Sequence, residues 1–433
     1  MNSFLERNVK NYYFVNIEGL KMEKIKLGVI GLGCRGTRLL EVSLACGDAV
    51  VTALCDTYAD RVRRGAEIVR EKQSESFSEY TDCDSFIADS NVDVVIIATS
   101  WDEHFRIAGK CMRAGKITAT EVGGACELEE CWQLVHTYEE TKTPIMMLEN
   151  CCYDRFELLV TSLARAGKLG EIVHCHGAYG HDLRKEVLGG RVNGHYRLDN
   201  YLKRNCDNYP THELGPIAKL LNVNRGNRMV SLVSMSSKAA GLKEFALGDK
   251  NPDKTLIGRD FAQGDVVETL IKCANGETIS LKLDTTLPRY YSREFTVNGT
   301  KGYCNQEANL IMFDGDPAME RYFEPRMTIE NNLNCADKYK EYLPDIWRNI
   351  TEEEQSLGHG GMDFLMLKEF FGAIKEGKDM PIDVYDAAAW ACVTALSAQS
   401  IAEGGALQSV PDFTCGKWVK RQPKDVVEFG KKD

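Results

Sequence analysis

Two short stretches concentrate residues able to do chemistry. In "NYPTHELGP", residues 208–216, a phenol and an imidazole stand close together at Tyr209 and His212, at the entrance to an apolar helical run. An imidazole titrates near about 6.5, so His212 is suited to moving protons at neutral pH. In "GLGCRG" the glycines Gly31, Gly33 and Gly36 have the spacing that lets a backbone turn tightly and approach a pyrophosphate, whose charge then sits at a helix N-terminus. Asp56 ends the next apolar run, 20 residues past Gly36. A carboxylate there hydrogen-bonds a ribose 2′-hydroxyl and repels a 2′-phosphate, so NAD is expected rather than NADP. Arg35, inside the turn, is either a further pyrophosphate contact or a solvated turn residue.

The elements that must position these groups change character near Asn150. From Ile25 to Glu149 apolar runs ("IKLGVI", "VVTALCD", "VDVVIIAT", "ITATE", "PIMMLE") alternate with amphipathic helical segments. Continuous apolar strands with helical crossovers predict a parallel, doubly wound sheet covered on both faces. Ligands of such sheets lie over the carboxyl ends of strands, which is where Trp101, Asp102, His104, Glu121, Val122 and Asn150 fall. Beyond Asn150 come "GEIVHCHGAYGHD", "RMVSLVSMSSKA", "DVVETLIKCA", "ETISLKLDTT" and "REFTVNGTKGYC", with hairpin-like breaks at 275–277 and 298–302. They predict an α+β half with a mainly antiparallel, open-faced sheet. The expected division is an extension at 1–21, a dinucleotide domain at 22–150, with Met22 as the native start, and a substrate domain at 151–433. Segments 241–262 and 314–360 are polar and aperiodic and read as surface loops or lids. Thr211 is expected to cap a helix starting near Glu213, holding His212 in its first turn.

Composition excludes several classes. A net charge of −11 without a basic run argues against nucleic acid as a partner. No apolar run of membrane-spanning length and no signal-peptide core is evident, and sixteen scattered cysteines without a CxxC pair fit a reducing interior, so a cytoplasmic location is expected. His174 and His176 alternate on one strand without a nearby acid cluster and read as packing or solvent residues; no metal is expected. His359, in "LGHGGMDF", reads as part of a loop before a helix.

These residues carry a resemblance. The first half resembles the Gfo/Idh/MocA oxidoreductases, in which most dehydrogenases have Glu-Lys-Pro where this chain has Glu121-Val122-Gly123. That departure, with "ENCCYDRFELL", "GAYGHD", "HYRLDNYLKRNCDNYPTHELGP", "YYSREFTVNGTKG" and "GHGGMDF", resembles glycoside hydrolase family 109, the NAD-dependent α-N-acetylgalactosaminidases. The resemblance implies NAD contacts from Cys34, Arg35, Asp56, Trp101, Asp102, Glu103, His104, Glu121, Val122, Asn150 and Tyr209. It implies substrate contacts from Tyr179, Arg197, Tyr209, Pro210, Thr211, His212 and Tyr291.

The implied activity is a retaining glycosidase acting on glycans with terminal α-linked N-acetylgalactosamine. Ordinary glycosidases flank the bond with two carboxyl groups, and NAD-dependent families are the exception. The implied route is oxidation at carbon 3 of the sugar, loss of the carbon-2 proton, elimination, water addition and re-reduction. Tyr179 is the expected carbon-2 base, needing positive charge nearby because a free phenol titrates near about 10. His212 is expected to exchange a proton with the carbon-3 hydroxyl or the leaving group. Three alternatives stay open: a sugar dehydrogenase, an NAD-dependent glycosidase for another, including β-linked, sugar, and a non-catalytic sensor. A homo-oligomer through the open sheet face is expected by analogy with the superfamily.

Overall fold

The computed structural model describes residues 24–123, 125–316 and 333–429; the expected extension at 1–21 and the start at Met22 lie outside them. Six strands form the first sheet: β1 (Ile25–Ile30), β2 (Ala49–Cys55), β3 (Ser78–Tyr80), β4 (Val94–Ile97), β5 (Ile117–Thr120) and β6 (Ile145–Met147). Their order is β3-β2-β1-β4-β5-β6 and every pairing is parallel. The strands read as unbroken apolar runs because both faces are covered; all four residues of β4 are buried. Strand order reverses between β1 and β4, which opens a crevice at their carboxyl ends.

Eight strands make the second sheet: β7 (Ile172–Gly180), β8 (Met229–Ser236), β9 (Val266–Cys273), β10 (Thr278–Asp284), β11 (Thr296–Gly299), β12 (Gly302–Asn305), β13 (Leu310–Phe313) and β14 (Gln408–Ser409). Its order is β13-β12-β11-β7-β10-β9-β8-β14, antiparallel except between β7 and β10. One face is open: along β9, Val267, Thr269, Ile271 and Cys273 are buried while Glu268, Leu270 and Lys272 are exposed. His174 and His176 lie on that face, bonded to the hydroxyls of Thr278 and Ser280 on β10, and His176 also meets Glu294.

The helix Thr211–Leu220 packs on the closed face of β7. Gly177 makes this approach possible: a Cβ there would stand 3.0 Å from the Glu213 carbonyl oxygen and 3.2 Å from Ile217 Cδ1. Late helices return to the first half. Met362–Glu376 packs along Cys34–Cys46, and Val384–Ala402 packs against Leu128–Thr141 and β8, burying Trp390 completely.

Two local expectations are corrected. The segments read as loops contain short helices at Gly241–Leu247, Asp345–Arg348 and Glu352–Ser356, too brief for hydrophobic periodicity to register. Thr211 does not cap its helix; the helix starts at Thr211 itself, and Pro210, already at φ −73° and ψ −18°, occupies the cap position. Proline's fixed φ begins the helical turn earlier than a threonine cap would.

Candidate active site

The glycine turn follows β1 and opens the helix Cys34–Cys46. Gly31 sits at φ +91°, and a Cβ there would lie 2.4 Å from the Ala98 carbonyl oxygen; a Cβ on Gly36 would lie 1.8 Å from the Gly31 oxygen. The protein's own packing demands these two glycines. Gly33 differs, since a Cβ there would meet only Arg61 Nη1, at 3.7 Å. Clear space over a backbone at a helix N-terminus is what a pyrophosphate requires, so the turn fits the dinucleotide. Cys34 is exposed at the first helical position. Asp56, buried after β2, accepts the backbone N–H of Leu32 at 2.7 Å and of Tyr58 at 2.9 Å. Both bonds hold its carboxylate beside the turn, with lone pairs left for a ribose hydroxyl.

Arg35 points into an ionic network. Its Nε donates to Glu121 Oε1 at 2.7 Å, and Nη1 and Nη2 donate to Asp363 at 2.6 and 3.0 Å. Asp363 also accepts from Asn150 Nδ2 at 2.8 Å and meets His359 Nδ1 at 2.8 Å. Burial works against the charge on Asp363, but His359 and Arg35 outweigh it and hold the carboxyl below its ordinary range. The loop before Met362 therefore closes onto the glycine turn, and His359, half exposed, is its outer member.

The helix Trp101–Arg113 follows β4 and spreads its first turn between two environments. Asp102 is exposed, and Glu103 pairs with Arg106 on its own helix. His104 is buried, meets the Thr99 carbonyl oxygen at 3.1 Å, and is pushed down to about 4 by burial, so it is neutral. Trp101 packs on Gly123, where a Cβ would strike the indole at 2.4 Å. The Glu121-Val122-Gly123 sequence therefore has a steric reason: its glycine admits Trp101, and its valine is a buried apolar residue.

Trp101 begins a run of rings. Its centroid lies 5.5 Å from Tyr209, Tyr209 lies 4.7 Å from Tyr179, and Tyr179 lies 6.4 Å from Tyr291. His212 completes the cluster, 4.8 Å from Tyr209 and 5.5 Å from Tyr179. The Arg197 guanidinium covers both Trp101 and Tyr209 at 4.9 Å, and its Nε pairs with Glu186 at 2.7 Å. Its Nη1 is buried with no hydrogen-bond partner among the described residues. The structure thus brings together Trp101, Tyr179, Arg197, Tyr209, His212 and Tyr291, with Pro210 and Thr211 shaping the turn between them. Asp102 and Glu103 stay at the margin.

Two residues that sequence reading missed make this cluster chemically directed. Glu149, at the end of β6 and fully buried, accepts from His212 Nδ1 at 2.6 Å. Burial opposes its charge, but His212 beside it wins, and its carboxyl is held below the ordinary range. An ionised carboxylate can only accept, so Nδ1 carries a proton, and in the neutral ring the lone pair belongs to Nε2. His181 lies just beyond Tyr179 on the chain, and its Nδ1 is 3.2 Å from the Tyr179 hydroxyl. Burial lowers its basicity, leaving it neutral and able to accept that hydroxyl's proton. Burial likewise pushes the Tyr179 hydroxyl above its ordinary range, with Arg197 drawing it partly back. The only sequence signal for Glu149 is its place at a strand end, shared with many helix-capping acids.

Beneath the Tyr-Pro-Thr-His turn, Asp207 and Glu213 are buried against each other. Burial pushes Asp207 up to about 7 and Glu213 well above the carboxylate range. None of their four carboxyl oxygens has a hydrogen-bond partner among the described residues, so burial favours the protonated, uncharged forms. Glu149, Cys151 and His212 also bring one potential metal-ligand atom each within 4.8 Å of the others. The 2.6 Å between Glu149 and His212 is the length of a hydrogen bond, shorter than the separation two ligands of one zinc ion keep.

A family model described as the glycosyl hydrolase 109 C-terminal domain matches residues 153–420, and one described as an oxidoreductase NAD-binding Rossmann fold matches residues 25–148. A glycosyl hydrolase family 109 protein of Solibacter usitatus is 38% identical over 408 residues, 92% of this chain and 90% of that protein. An alpha-N-acetylgalactosaminidase of Tannerella forsythia is 33% identical over 422 residues, 92% of this chain and 88% of that protein. Among solved structures, levoglucosan dehydrogenase in complex with NADH superposes with a TM-score of 0.65 at 20% identity, over 90% of this chain and 100% of that one, a likeness of fold. The chain belongs to glycoside hydrolase family 109, with an NAD-binding Rossmann domain ahead of that family's C-terminal domain.

Proposed function

We propose that the protein is a retaining, NAD-dependent glycosidase that releases terminal α-linked N-acetylgalactosamine. The observation that carries this reading is the meeting of Tyr179 and His212 with residues at the carboxyl ends of the Rossmann strands: Glu149 after β6 grips His212, and Trp101 after β4 packs on Tyr209. The nearby carboxylates are committed elsewhere, Glu149 to His212 and Glu121 to Arg35, so they do not form the two-carboxylate pair of an ordinary glycosidase. The name of the Tannerella forsythia relative supports the choice of sugar.

NAD, when bound, supplies reversible removal of the hydride at carbon 3 of the sugar. Gly31, Gly33, Gly36 and Asp56 would hold its pyrophosphate and ribose, with Asn150, Glu121 and Trp101 flanking the strand ends. His212 Nε2 takes the proton of the carbon-3 hydroxyl, and Glu149 stabilises the imidazolium that results. Tyr179 removes the carbon-2 proton while its own hydroxyl proton passes to His181 Nδ1, so no bare phenolate is needed in this buried site. Arg197, whose Nη1 has no hydrogen-bond partner among the described residues, would bind a substrate oxygen.

The test is turnover of nitrophenyl α-N-acetylgalactosaminide in deuterated water. Phenol release with carbon-2 deuterium in the product and no net NADH is expected. Stoichiometric NADH would replace this reading with a sugar dehydrogenase, and absence of turnover across a panel of sugars would favour a sensor.

A further inference from the structure

Three short helices, Arg184–Leu188, Gly190–Asn193 and Arg197–Lys203, make a strap that the second half of the chain lays against the Rossmann half. It is tied at three places. Arg61, on the helix Ala59–Lys72, donates through Nη2 to the carbonyl oxygens of Asn193 at 3.0 Å and Gly194 at 3.1 Å. Trp101 meets Tyr196 with ring centroids 4.9 Å apart, and Arg204 Nη1 donates to the Cys126 carbonyl oxygen at 3.2 Å. Resting on the glycosidase reading above, which gives Arg197 to the sugar, we propose that Arg61 is a positioning residue: it responds to the adenosine diphosphate half of NAD and, through the strap, sets Arg197, so that cofactor and sugar bind cooperatively.

The Arg61 guanidinium faces two ways. Nη2 is committed to the strap, while Nη1 stands 3.9 Å from Asp56 Oδ2 and is the atom that a Cβ on Gly33 would meet at 3.7 Å. Nη1 thus borders the clear space over Gly33 and the acid that fits the ribose, where a diphosphate would bring negative charge to a free N–H. On the other side, the two carbonyls gripped by Nη2 end a helical turn, whose last C=O groups lack partners within the helix. Gly194, at φ +59°, turns the chain there, and a Cβ on it would lie 3.0 Å from Arg61 Nη2 and 3.4 Å from the Tyr58 hydroxyl. The glycine therefore gives the guanidinium room. Tyr58 lies beneath it, its ring centroid 4.4 Å from Arg61 Cζ.

The strap can transmit because it is folded on itself. Arg197 follows closely after Gly194 in the chain, and the segment between them is held internally. The His195 N–H donates to the Gly190 carbonyl oxygen at 2.8 Å, the His195 ring stacks on Tyr196 with centroids 4.5 Å apart, and a Cβ on Gly190 would lie 2.6 Å from Leu198 Cβ. Glu186, on the first short helix, pairs with Arg197 Nε at 2.7 Å. A displacement of Asn193 and Gly194 therefore carries Arg197 with it. Holding a long arginine side chain in one rotamer costs conformational entropy. A nucleotide that fixes Nη1 meets that cost before the sugar arrives, so the sugar binds a strap already ordered. Linkage then requires the converse: the sugar tightens the nucleotide by the same factor.

The probe is ADP-ribose, which supplies the adenosine diphosphate half without placing a nicotinamide ring beside the sugar. Calorimetry on the full chain freed of cofactor should show ADP-ribose tightening N-acetylgalactosamine about tenfold, and the sugar tightening ADP-ribose equally. Arg61→Lys keeps a positive charge but lacks the fork that reaches strap and nucleotide together, so the mutual tightening should largely vanish while ADP-ribose still binds. Arg61→Ala should lose the tightening and weaken ADP-ribose as well. No mutual tightening in the wild type, or its full retention in either variant, overturns the proposal. A wild type that binds NAD but no N-acetylgalactosamine ends the sugar reading instead. The strap is then judged by amide hydrogen exchange over residues 190–197: protection by ADP-ribose that Arg61→Ala abolishes supports the coupling, and exchange that ADP-ribose leaves unaltered overturns it.

Discussion

Glu149 Oε1 and His212 Nδ1 lie 2.6 Å apart although 63 positions separate them in the chain. Gly215 permits this, since a Cβ there would stand 2.8 Å from Glu149 Cγ. The carboxylate fixes the imidazole tautomer and turns Nε2 toward the ring cluster. Glu149→Gln retains an acceptor but removes the charge, so kcat is expected to fall about a hundredfold with KM little altered. Steady-state kinetics with the nitrophenyl glycoside, alongside a pH–rate profile that changes shape in the variant, check it. An unaltered profile would mark Glu149 as purely structural.

Tyr179→Phe and His212→Ala should each lose about two to four orders of magnitude in kcat, the range for a positioned proton-transfer group. NAD affinity, followed by nicotinamide fluorescence, should stay near the wild-type value because neither residue belongs to the glycine turn. His181→Ala should reproduce part of the Tyr179→Phe loss, and near-normal turnover in it would remove the proton relay.

Gly33→Ala and Gly36→Ala should part company. The first meets no protein atom closer than 3.7 Å, so the thermal midpoint should hold while the Kd for NAD rises about tenfold. The second drives a methyl group against the Gly31 oxygen and should destabilise the fold itself, by about 1–3 kcal/mol. Calorimetric unfolding and NAD titration together separate the two effects.

Asp363→Asn should cost about 1–3 kcal/mol, because it leaves the part-buried Arg35 guanidinium with Glu121 as its one carboxylate partner among the described residues. In the wild type the folded carboxyl holds its proton less firmly than the unfolded one. Its contribution is therefore present above about pH 4 and is lost as pH falls toward its depressed folded value. Urea unfolding of both proteins at acidic and neutral pH should show the gap closing under acid.

Asp207 runs the other way. Burial raises its folded value to about 7, so the folded chain binds a proton that the unfolded chain releases near pH 4. Stability should fall between about pH 4 and 7, by up to about 1 kcal/mol per pH unit. Asp207→Asn removes this titrating group and should reduce that slope. A slope equal to the wild type's would assign the proton uptake to another group.

The amino-acid sequence alone determined the features whose cause is local. Glycine spacing, an acid at the next strand end, unbroken apolar strands before Asn150 and alternation after it all follow from backbone sterics and burial within a few residues. They sufficed for the Rossmann half and the open-faced sheet, while the family came from the resemblance carried by motifs such as the Tyr-Pro-Thr-His block. Tertiary structure decided what those residues do to one another. Glu149 reads as one acid among 64 acidic residues until β6 delivers it to the helix Thr211–Leu220. Asp363, 328 positions from Arg35, is an ordinary first-turn acid until the helix Met362–Glu376 lies along Cys34–Cys46. Arg35 reads, from its neighbours in the chain, as a pyrophosphate contact or a free turn residue, and only packing gives it Glu121 and Asp363 as part-buried partners. The physical reason is common to all three: a charge's partner is chosen by which strand and helix ends the packing brings within about 3 Å, and nothing in its own neighbourhood of sequence encodes that distance.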